Sequence, residues 1–503
     1  MQTNSPSSSA PLSRGALLLG ALAFAAAATL NAGGYRYGAS DQAFYIPAIL
    51  HQLDPSLFPR DWAMLGAQGR FFFVDEIFAG LVRVTGLSLP AWFAVAQVAT
   101  LGVLYAGAYA LGRQVLTTPW ALAAWMAALT LRHRIAKTGA NTLEGYFHPR
   151  MLVFGIGLAS LALFLRGRPW WALGLAMGSA ILHPTTATLF VGIIAVGIVV
   201  SEPRRRVPVL AAGVFAVVAL GAGVAAGVFD VATMDDGWLA LLETKDYVFP
   251  TQWSFDTWAL NLLGPLILIA TSVARRRAGL ASPRELGLLA GCLALVAGFA
   301  ASLPFIASGV ALAVQLQTSR VFWPVEIVAT LFLVWWLVDR PARAHAGAWL
   351  PRAVAALLVA ATVARSAYVG FVESPNRATI AFGLPSDDWT TALRWIRANT
   401  PAGAHVLADP GHAWKYGTAV RIGAERDVFL EETKDVAMAL YSKATADRVR
   451  ARIAATSGFA GMDASAVRAL AAQEGLTVLV TDRSLDLPVA YRAGAFAIYR
   501  LER

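Results

Sequence analysis

A single carboxylate stands among aromatic residues in the loop that follows the first apolar run. The loop begins Tyr35-Arg-Tyr-Gly-Ala-Ser-Asp41-Gln-Ala-Phe-Tyr. A carboxylate in such a half-dry setting can gain proton affinity and act as a general base. Aromatic residues at this place also fit the ordinary interfacial belt of a membrane protein, which requires no chemistry of Asp41. Asp41 is therefore the candidate catalytic residue, and the belt is the alternative.

A second polar cluster leads directly into a later apolar run. It contains Arg134, Glu144, His148 and Arg150, and it ends Asn-Thr-Leu-Glu144-Gly-Tyr-Phe-His148-Pro-Arg150. The planar guanidinium group of arginine donates two parallel hydrogen bonds, so it suits a phosphate group. A surface loop with snorkelling cations would have the same composition. We predict substrate binding by these four residues, with the surface loop as the alternative.

Two further segments place polar side chains at the ends of apolar runs. His183-Pro-Thr-Thr divides one long apolar stretch, and its imidazole could face a shared cavity or lie in a simple chain reversal. Gln315-Leu-Gln-Thr-Ser-Arg320 precedes a run that contains Glu326, for which Arg320 is the expected ion-pair partner. We add His183, Gln315, Arg320 and Glu326 to the predicted binding site, with a purely structural ion pair between Arg320 and Glu326 as the alternative. The histidines lack a metal-ligand spacing such as HExxH, so no metal ligand is assigned.

The composition indicates a membrane protein as the scaffold for these residues. Of 503 residues, 57% are hydrophobic and 14% are charged, with a mean hydropathy of +0.57. No water-soluble globule hides so much apolar surface with so few charges, which excludes a cytosolic enzyme, a disordered chain and a simple secreted protein. The net charge of +10 is explained by arginines in cytoplasmic loops, so no nucleic-acid partner is expected.

Eleven apolar runs predict about eleven transmembrane helices. With the N-terminus in the cytoplasm, the cytoplasmic side holds fourteen arginines and three acids, and the opposite side holds nine basic residues and twelve acids. This asymmetry follows the positive-inside rule. Arg14 and the first run could also be a cleaved signal peptide, but an uncleaved span is favoured because ten more runs follow. The runs are about 15–32, 89–112, 117–131, 150–165, 169–183, 185–201, 207–228, 257–273, 285–303, 321–338 and 351–371.

The chain is predicted to have four parts. Residues 1–14 form a disordered cytoplasmic N-terminus, and 15–371 form the transmembrane domain, whose outer loop 33–88 contains interface helices. Residues 372–385 are a linker, and 386–503 are a soluble, extracytoplasmic α/β domain. Strands near His405, Asp427 and Leu476 alternate with helices in this last part. One helix is expected over 436–455 and an edge strand over 495–501.

The chain resembles the GT-C superfamily of integral-membrane glycosyltransferases, which use polyprenyl-phosphate-linked sugars. The resemblance rests on Asp41 in the first outer loop, interface helices in that loop, about eleven spans and an outer α/β domain at the C-terminus. Trp395-Ile-Arg-Ala-Asn-Thr-Pro-Ala-Gly-Ala-His-Val-Leu is similar to the start of the outer domain in uncharacterised bacterial proteins of this kind. The paired first-loop acids of the family are here Asp41 followed by Gln42, and the WWD-type motif of oligosaccharyltransferases is absent.

The resemblance implies a glycosyltransferase of the bacterial inner membrane that moves a hexose or pentose from a polyprenyl-phosphate donor to an acceptor on the extracytoplasmic face. Asp41 would be the general base, and the partners would be the lipid-linked sugar and membrane lipid. A divalent metal is left open because related families differ, and so is the oligomeric state. The alternatives are a transporter or lipid-handling protein and a degenerate GT-C-like protein. Only an enzyme requires the polar residues to converge at one outer cavity, because a transporter spreads them through the membrane midplane.

Overall fold

A helical bundle followed by a small α/β domain makes up this protein. The structure, a computed structural model, describes residues 13–69, 73–228, 232–344 and 349–501. Eight helices in these ranges are long and apolar enough to cross a membrane. The predicted fold class, a polytopic helical membrane protein with a small C-terminal α/β domain, is confirmed. Of the predicted N-terminal segment 1–14, residues 1–12 lie outside the described residues, and Ser13 caps the first helix.

Each of the eleven predicted spans coincides with a helix of the bundle. Eight of these helices are the ones long and apolar enough to cross a membrane, and the other three, α6 to α8 in the list that follows, have only 12, 17 and 10 residues. The helices before the C-terminal domain are α1 Arg14–Asn31, α2 Gln42–Leu53, α3 Trp62–Gly69, α4 Val74–Thr85, α5 Leu89–Val115, α6 Pro119–Thr130, α7 Pro149–Leu165, α8 Pro169–Gly178, α9 Pro184–Ser201, α10 Arg206–Ala225, α11 Asp236–Leu242, α12 Phe255–Arg277, α13 Pro283–Ala307, α14 Ala311–Gln315, α15 Phe322–Val334, α16 Arg340–Ala344 and α17 Trp349–Tyr368.

Helices α5 and α7 pack closely because glycines face each other across their contact. A Cβ atom on Gly107 of α5 would lie 2.3 Å from the carbonyl oxygen of Gly155 in α7. Small residues at such crossings let two membrane helices approach backbone to backbone. This contact fixes the height and rotation of α7, whose N-terminal end carries His148 and Arg150.

Replacing Gly107 with alanine is expected to destabilise the bundle by about 1–3 kcal/mol, because the added methyl group forces the two backbones apart. Gly102 lies on the same helix, and a Cβ atom there would meet nothing within 4 Å. Thermal unfolding of the purified protein in detergent should therefore show a lowered midpoint for Gly107→Ala and an unchanged or raised one for Gly102→Ala. Equal midpoints for the two variants would contradict the close contact.

The C-terminal domain is built on a five-stranded mixed sheet. Its strands are ordered β4-β3-β5-β7-β6, with β3 parallel to both of its neighbours and β7 antiparallel to both of its own. The strands of the protein are β1 Tyr35–Arg36, β2 Ile380–Ala381, β3 His405–Leu407, β4 Asp427–Val428, β5 Val478–Thr481, β6 Val489–Ala493 and β7 Phe496–Arg500. The helices of this domain are α18 Asp388–Asn399, α19 His412–Lys415, α20 Val420–Gly423, α21 Glu432–Ala439, α22 Lys443–Ala455 and α23 Ala464–Glu474.

Two details of the sequence prediction for this domain are wrong. The strand expected at the edge, β7, lies inside the sheet, because the unpredicted strand β6 pairs with its outer side. The single helix expected over 436–455 is two helices, α21 and α22, and Ser442 caps the second with a hydrogen bond from the Thr445 N–H. A helix N-cap in the middle of an apolar pattern ends one helix and begins the next.

The first loop and the linker are joined by the short parallel pair β1–β2. Tyr35 is opposite Ile380, and Arg36 is opposite Ala381. Gly34 has a φ of +87°, and a Cβ atom there would lie 2.3 Å from the carbonyl oxygen of Thr379. Only glycine permits this backbone conformation and approach. The linker that leads into the C-terminal domain is therefore tied to the first loop by backbone pairing.

Candidate functional site

Asp41 lies at the N-cap position of α2 and faces three positively charged or proton-donating side chains. Its Oδ1 is 2.8 Å from Lys434 Nζ. Its Oδ2 is 3.4 Å from His148 Nε2 and 3.5 Å from Arg150 Nη2. The Asp41 side chain is 24% exposed, so part of the carboxylate is still accessible beside these three partners.

Gln42 explains how the first loop holds Asp41 beside His148. The Gln42 side chain is fully buried, accepts a 2.7 Å hydrogen bond from the Gly38 N–H and donates a 3.1 Å hydrogen bond to the Phe147 carbonyl oxygen. An ionised acid at this position could not donate the second bond. The Gln42 amide therefore ties the loop to the segment that ends in His148.

Two histidines begin membrane helices in the same way. His148 and His183 each precede a proline, and each accepts a backbone N–H on its Nδ1, from Arg150 at 3.1 Å and from Thr186 at 3.3 Å. In a neutral imidazole the proton then lies on Nε2. The two rings meet edge to face with centroids 5.9 Å apart. Both alternatives predicted for His183 therefore apply: the chain reverses at this residue, and its imidazole ring lies next to that of His148.

Arg150 connects two carboxylates at the start of α7. It forms a buried ion pair with Glu144 and also faces Asp41. The second carboxylate oxygen of Glu144 is buried without a hydrogen-bond partner. The Glu144 pair fixes the guanidinium group in place, with the same Nη2 atom also facing Asp41.

Arg320 adds a second arginine to this end of the bundle. Its charge acts on His183, and the charges of Arg150 and Asp41 act on it in turn. Arg320 Nε is buried and lacks a hydrogen-bond partner, and no ion pair of Arg320 occurs in the described ranges. A half-buried guanidinium group without an acid is suited to an anionic ligand.

The pKa values of the groups outside the spans set the charges of the site. Burial alone would raise the pKa of Asp41, but Lys434, the hydrogen bond from His148 and the Arg150 charge outweigh it and hold the pKa well below its usual range. Burial and the Arg150 charge lower the pKa of His148. Burial lowers the pKa of His183, and the nearby Arg320 charge lowers it further. At neutral pH the carboxylate is ionised and both imidazoles are neutral.

Six of the nine predicted site residues are brought together: Asp41, Glu144, His148, Arg150, His183 and Arg320. Arg134 is exposed and forms a backbone bridge with Asn141. Gln315 is half-buried at the end of α14, and it is Gln317 that donates a 3.0 Å hydrogen bond to the Tyr441 hydroxyl.

The expected ion pair between Glu326 and Arg320 is wrong. Glu326 on α15 faces His133, whose Nδ1 is 3.5 Å from the Glu326 carboxylate. Arg320 lies on the short helical turn 318–321 just before α15, where it interacts electrostatically with Arg150, Asp41 and His183. Arg320 and Glu326 are six residues apart in the sequence, but their side chains have different neighbours and do not form an ion pair with each other.

Lys434 of α21 is the residue that the sequence prediction missed. It lies 393 positions after Asp41 and belongs to the C-terminal domain. The chain around it reads Glu431-Glu-Thr-Lys434-Asp435, a charged helix start that is typical of a solvated surface. The only available signal was a lysine beside acids at the beginning of a helix, and this local pattern does not indicate a contact with Asp41.

A buried ionic network docks the C-terminal domain on the first loop and so places Lys434. Arg421 Nε is 2.7 Å from Asp61 Oδ2, and its Nη1 is 2.6 Å from Asp435 Oδ1. Arg448 also pairs with Asp61. Burial alone would raise the pKa of Asp61, but Arg421 and Arg448 hold it at about 2. Asp435 directly follows Lys434, so the network anchors the helix that carries the lysine.

Comparison with known proteins gives a weak likeness to one kind of enzyme. No family model and no curated protein matches the chain. The oligosaccharyltransferase of Archaeoglobus fulgidus in its apo form is 12% identical, with a TM-score of 0.48. The archaeal oligosaccharyltransferase AglB from Archaeoglobus fulgidus in complex with an inhibitory peptide and a dolichol-phosphate is 13% identical, with the same TM-score. Both comparisons cover 92% of this chain and 69% of the other. This degree of likeness assigns neither a family nor an activity to the chain.

Proposed function

We propose that the protein is a membrane glycosyltransferase of the GT-C kind. It moves a single sugar from a polyprenyl-phosphate donor to an acceptor hydroxyl at the extracytoplasmic face of the bacterial inner membrane. The supporting observation is that the Asp41 carboxylate lies at one end of the bundle together with Arg150 and Arg320. An attacking hydroxyl needs a negative group beside it, and a departing phosphate needs positive ones.

The donor phosphate is the natural ligand of the two arginines. Arg150 and Arg320 would hold its oxygens and stabilise the charge that develops as the bond from the anomeric carbon to the phosphate oxygen breaks. The N-terminal ends of α7 and α9 add a favourable potential for an anion. The lipid phosphate leaves as an anion, so no strong general acid is required.

Asp41 would accept the proton of the acceptor hydroxyl. Its lowered pKa makes it a weak base, and a weak base is sufficient here. The hydroxyl becomes strongly acidic once its oxygen bonds to the anomeric carbon, so the proton transfers late in the step. Before that, the negative charge of Asp41 stabilises the positive, oxocarbenium-like sugar. The new carbon–oxygen bond forms as the bond to phosphate breaks, and the proton passes through Asp41 to solvent.

The sugar itself would lie between the histidines and the tyrosines around them. The Tyr45 ring meets His148 edge to face at 5.4 Å between centroids, and the Tyr146 ring is 6.2 Å away from it. Aromatic faces pack against the apolar face of a sugar ring. The Nε2–H groups of His148 and His183, with Glu144, would position its hydroxyl groups or the phosphate.

The experiment uses the purified protein in liposomes with a panel of labelled polyprenyl-phosphate sugars. We expect release of polyprenyl phosphate and transfer of the label. Arg320→Gln should raise the donor KM about 10–100-fold, because it removes one charge-assisted contact to phosphate. Arg500→Gln, on an exposed strand end, serves as the matched control and should match the wild type. Unchanged donor KM in Arg320→Gln, or label that crosses the bilayer still attached to its lipid, would overturn the proposal.

A further inference from the structure

A divalent metal does not fit the surroundings of Asp41. Such an ion takes several oxygen ligands around it. Lys434 occupies Oδ1 of Asp41, and Arg150 and His148 face Oδ2. Glu144 is paired with Arg150. In the part of the chain that the structure describes, no group of three acidic, histidine or cysteine side chains could hold a metal.

The two neighbouring groups would also oppose a metal ion. His148 accepts the Arg150 N–H on Nδ1, so Nε2 carries a proton toward Asp41 and offers no lone pair. Arg150 cannot lose its charge. An added divalent ion would therefore lie beside two cations, Lys434 and Arg150, and beside the proton donor His148. Only the Asp41 carboxylate would be left to bind it.

Two features of the structure hold Lys434 in position beside Asp41. Its ammonium group lies 5.0 Å above the centre of the Phe44 ring, and its side chain is 15% exposed. The next residue, Asp435, is held by Arg421 through two hydrogen bonds of 2.6 and 3.1 Å. The lysine is thus a fixed charge, whereas an exposed lysine moves freely.

We propose that Lys434 is the built-in cation of the site, a positioning residue from the C-terminal domain that orients Asp41 in place of a divalent metal ion. It holds Oδ1, so the acceptor proton would be taken by Oδ2, which His148 and Arg150 also face. Its consequence for catalysis, a transfer reaction without a metal, rests on the proposed function.

The first experiment measures metal binding and needs no transfer reaction. Mn²⁺ is titrated into the full-length protein in detergent, and free Mn²⁺ is followed by its electron paramagnetic resonance signal. Wild type and Asp41→Asn should give the same curve, with no tightly bound ion that depends on Asp41. One Mn²⁺ bound by wild type and lost in Asp41→Asn would overturn the proposal, whether or not the protein transfers sugar.

The second experiment measures transfer in wild type and in lysine variants. Millimolar EDTA should leave wild-type activity unchanged. Lys434→Met should lower kcat about 30-fold with little change in the donor KM, whereas Lys434→Arg should stay within about 5-fold of wild type. Lys443→Met, which removes an exposed lysine paired with Asp235 and Asp447, is the control. Activity that EDTA abolishes, or equal kcat in Lys434→Met and the control, would overturn the proposal.

Folding of the variants separates orientation of Asp41 from simple domain docking. If Lys434 only docked the C-terminal domain, Lys434→Met would lower the thermal midpoint and raise the donor KM together. We expect an unchanged midpoint, because Arg421 and its acidic partners still hold the domain. A lowered midpoint in both Lys434→Met and Lys434→Arg, with parallel losses of activity, would contradict the assignment.

Discussion

Replacement of Asp41 by asparagine is expected to lower glycosyl transfer about 10²–10⁴-fold and leave the fold intact. The amide has the same shape as the carboxylate but cannot take up the acceptor proton or stabilise a positive sugar. Transfer of label from the lipid-linked sugar, measured with purified protein, reports the loss. Thermal unfolding in detergent reports the fold, which the buried Gln42 hydrogen bonds and the Arg421 network continue to hold.

Asp54 provides a control within the same loop. It is exposed and accepts hydrogen bonds from the backbone N–H and the hydroxyl of Ser56. Asp54→Asn removes one negative charge from the loop without touching the site, so transfer should remain at the wild-type rate. Full activity in Asp41→Asn would show that Asp41 is not the base, and equal losses in both variants would point to a general effect of loop charge.

Replacement of Arg421 by leucine is expected to destabilise the protein by about 3–5 kcal/mol. Arg421 is 1% exposed and pairs with Asp61 and Asp435, whose carboxylates are also buried. Its removal leaves negative charges without their cation in a setting that water does not reach. The free energy of unfolding of the C-terminal domain, followed by denaturant titration and by limited proteolysis, should fall accordingly.

Arg397 is the matched control for this charge. It forms a 2.9 Å ion pair with Glu425, but its side chain is 57% exposed. Exposed pairs contribute about 0–1 kcal/mol, so Arg397→Leu should leave the unfolding transition nearly in place. If Arg421→Leu were as stable as Arg397→Leu, the buried network would not be what docks the domain.

The sequence predicted the membrane helices well because their signal is local. Each apolar run is long, and the helix bounds follow capping residues and prolines that stand next to it, as at Ser13, Thr118 and Ser282. The convergence of Asp41, His148 and Arg150 was also foreseeable. His148 and Arg150 stand at the N-terminal end of a span, and this end is predicted on the same side of the membrane as the first loop.

The contacts of the C-terminal domain were not predictable in the same way. Lys434 and Arg421 are charged residues in a soluble domain, where a solvated face is the usual outcome. Their partners, Asp41 and Asp61, lie in a loop at the other end of the chain. Nothing in the spacing of a single sequence links such positions. The predicted ion pair between Arg320 and Glu326 was wrong for a related reason. The neighbours of the Arg320 side chain depend on the turn before α15 and not on how close Arg320 and Glu326 are in the sequence.

The β1–β2 pair and the Lys434–Asp41 contact have a consequence for biosynthesis. Residues near position 40 are made early, whereas residues near 380 and 434 are made late. A ribosome that stalls after the last membrane helix thus releases a chain whose Asp41 has no lysine partner and whose first loop is untied. In such a truncated product Asp41 and the first loop would lack both contacts that the later part of the chain supplies.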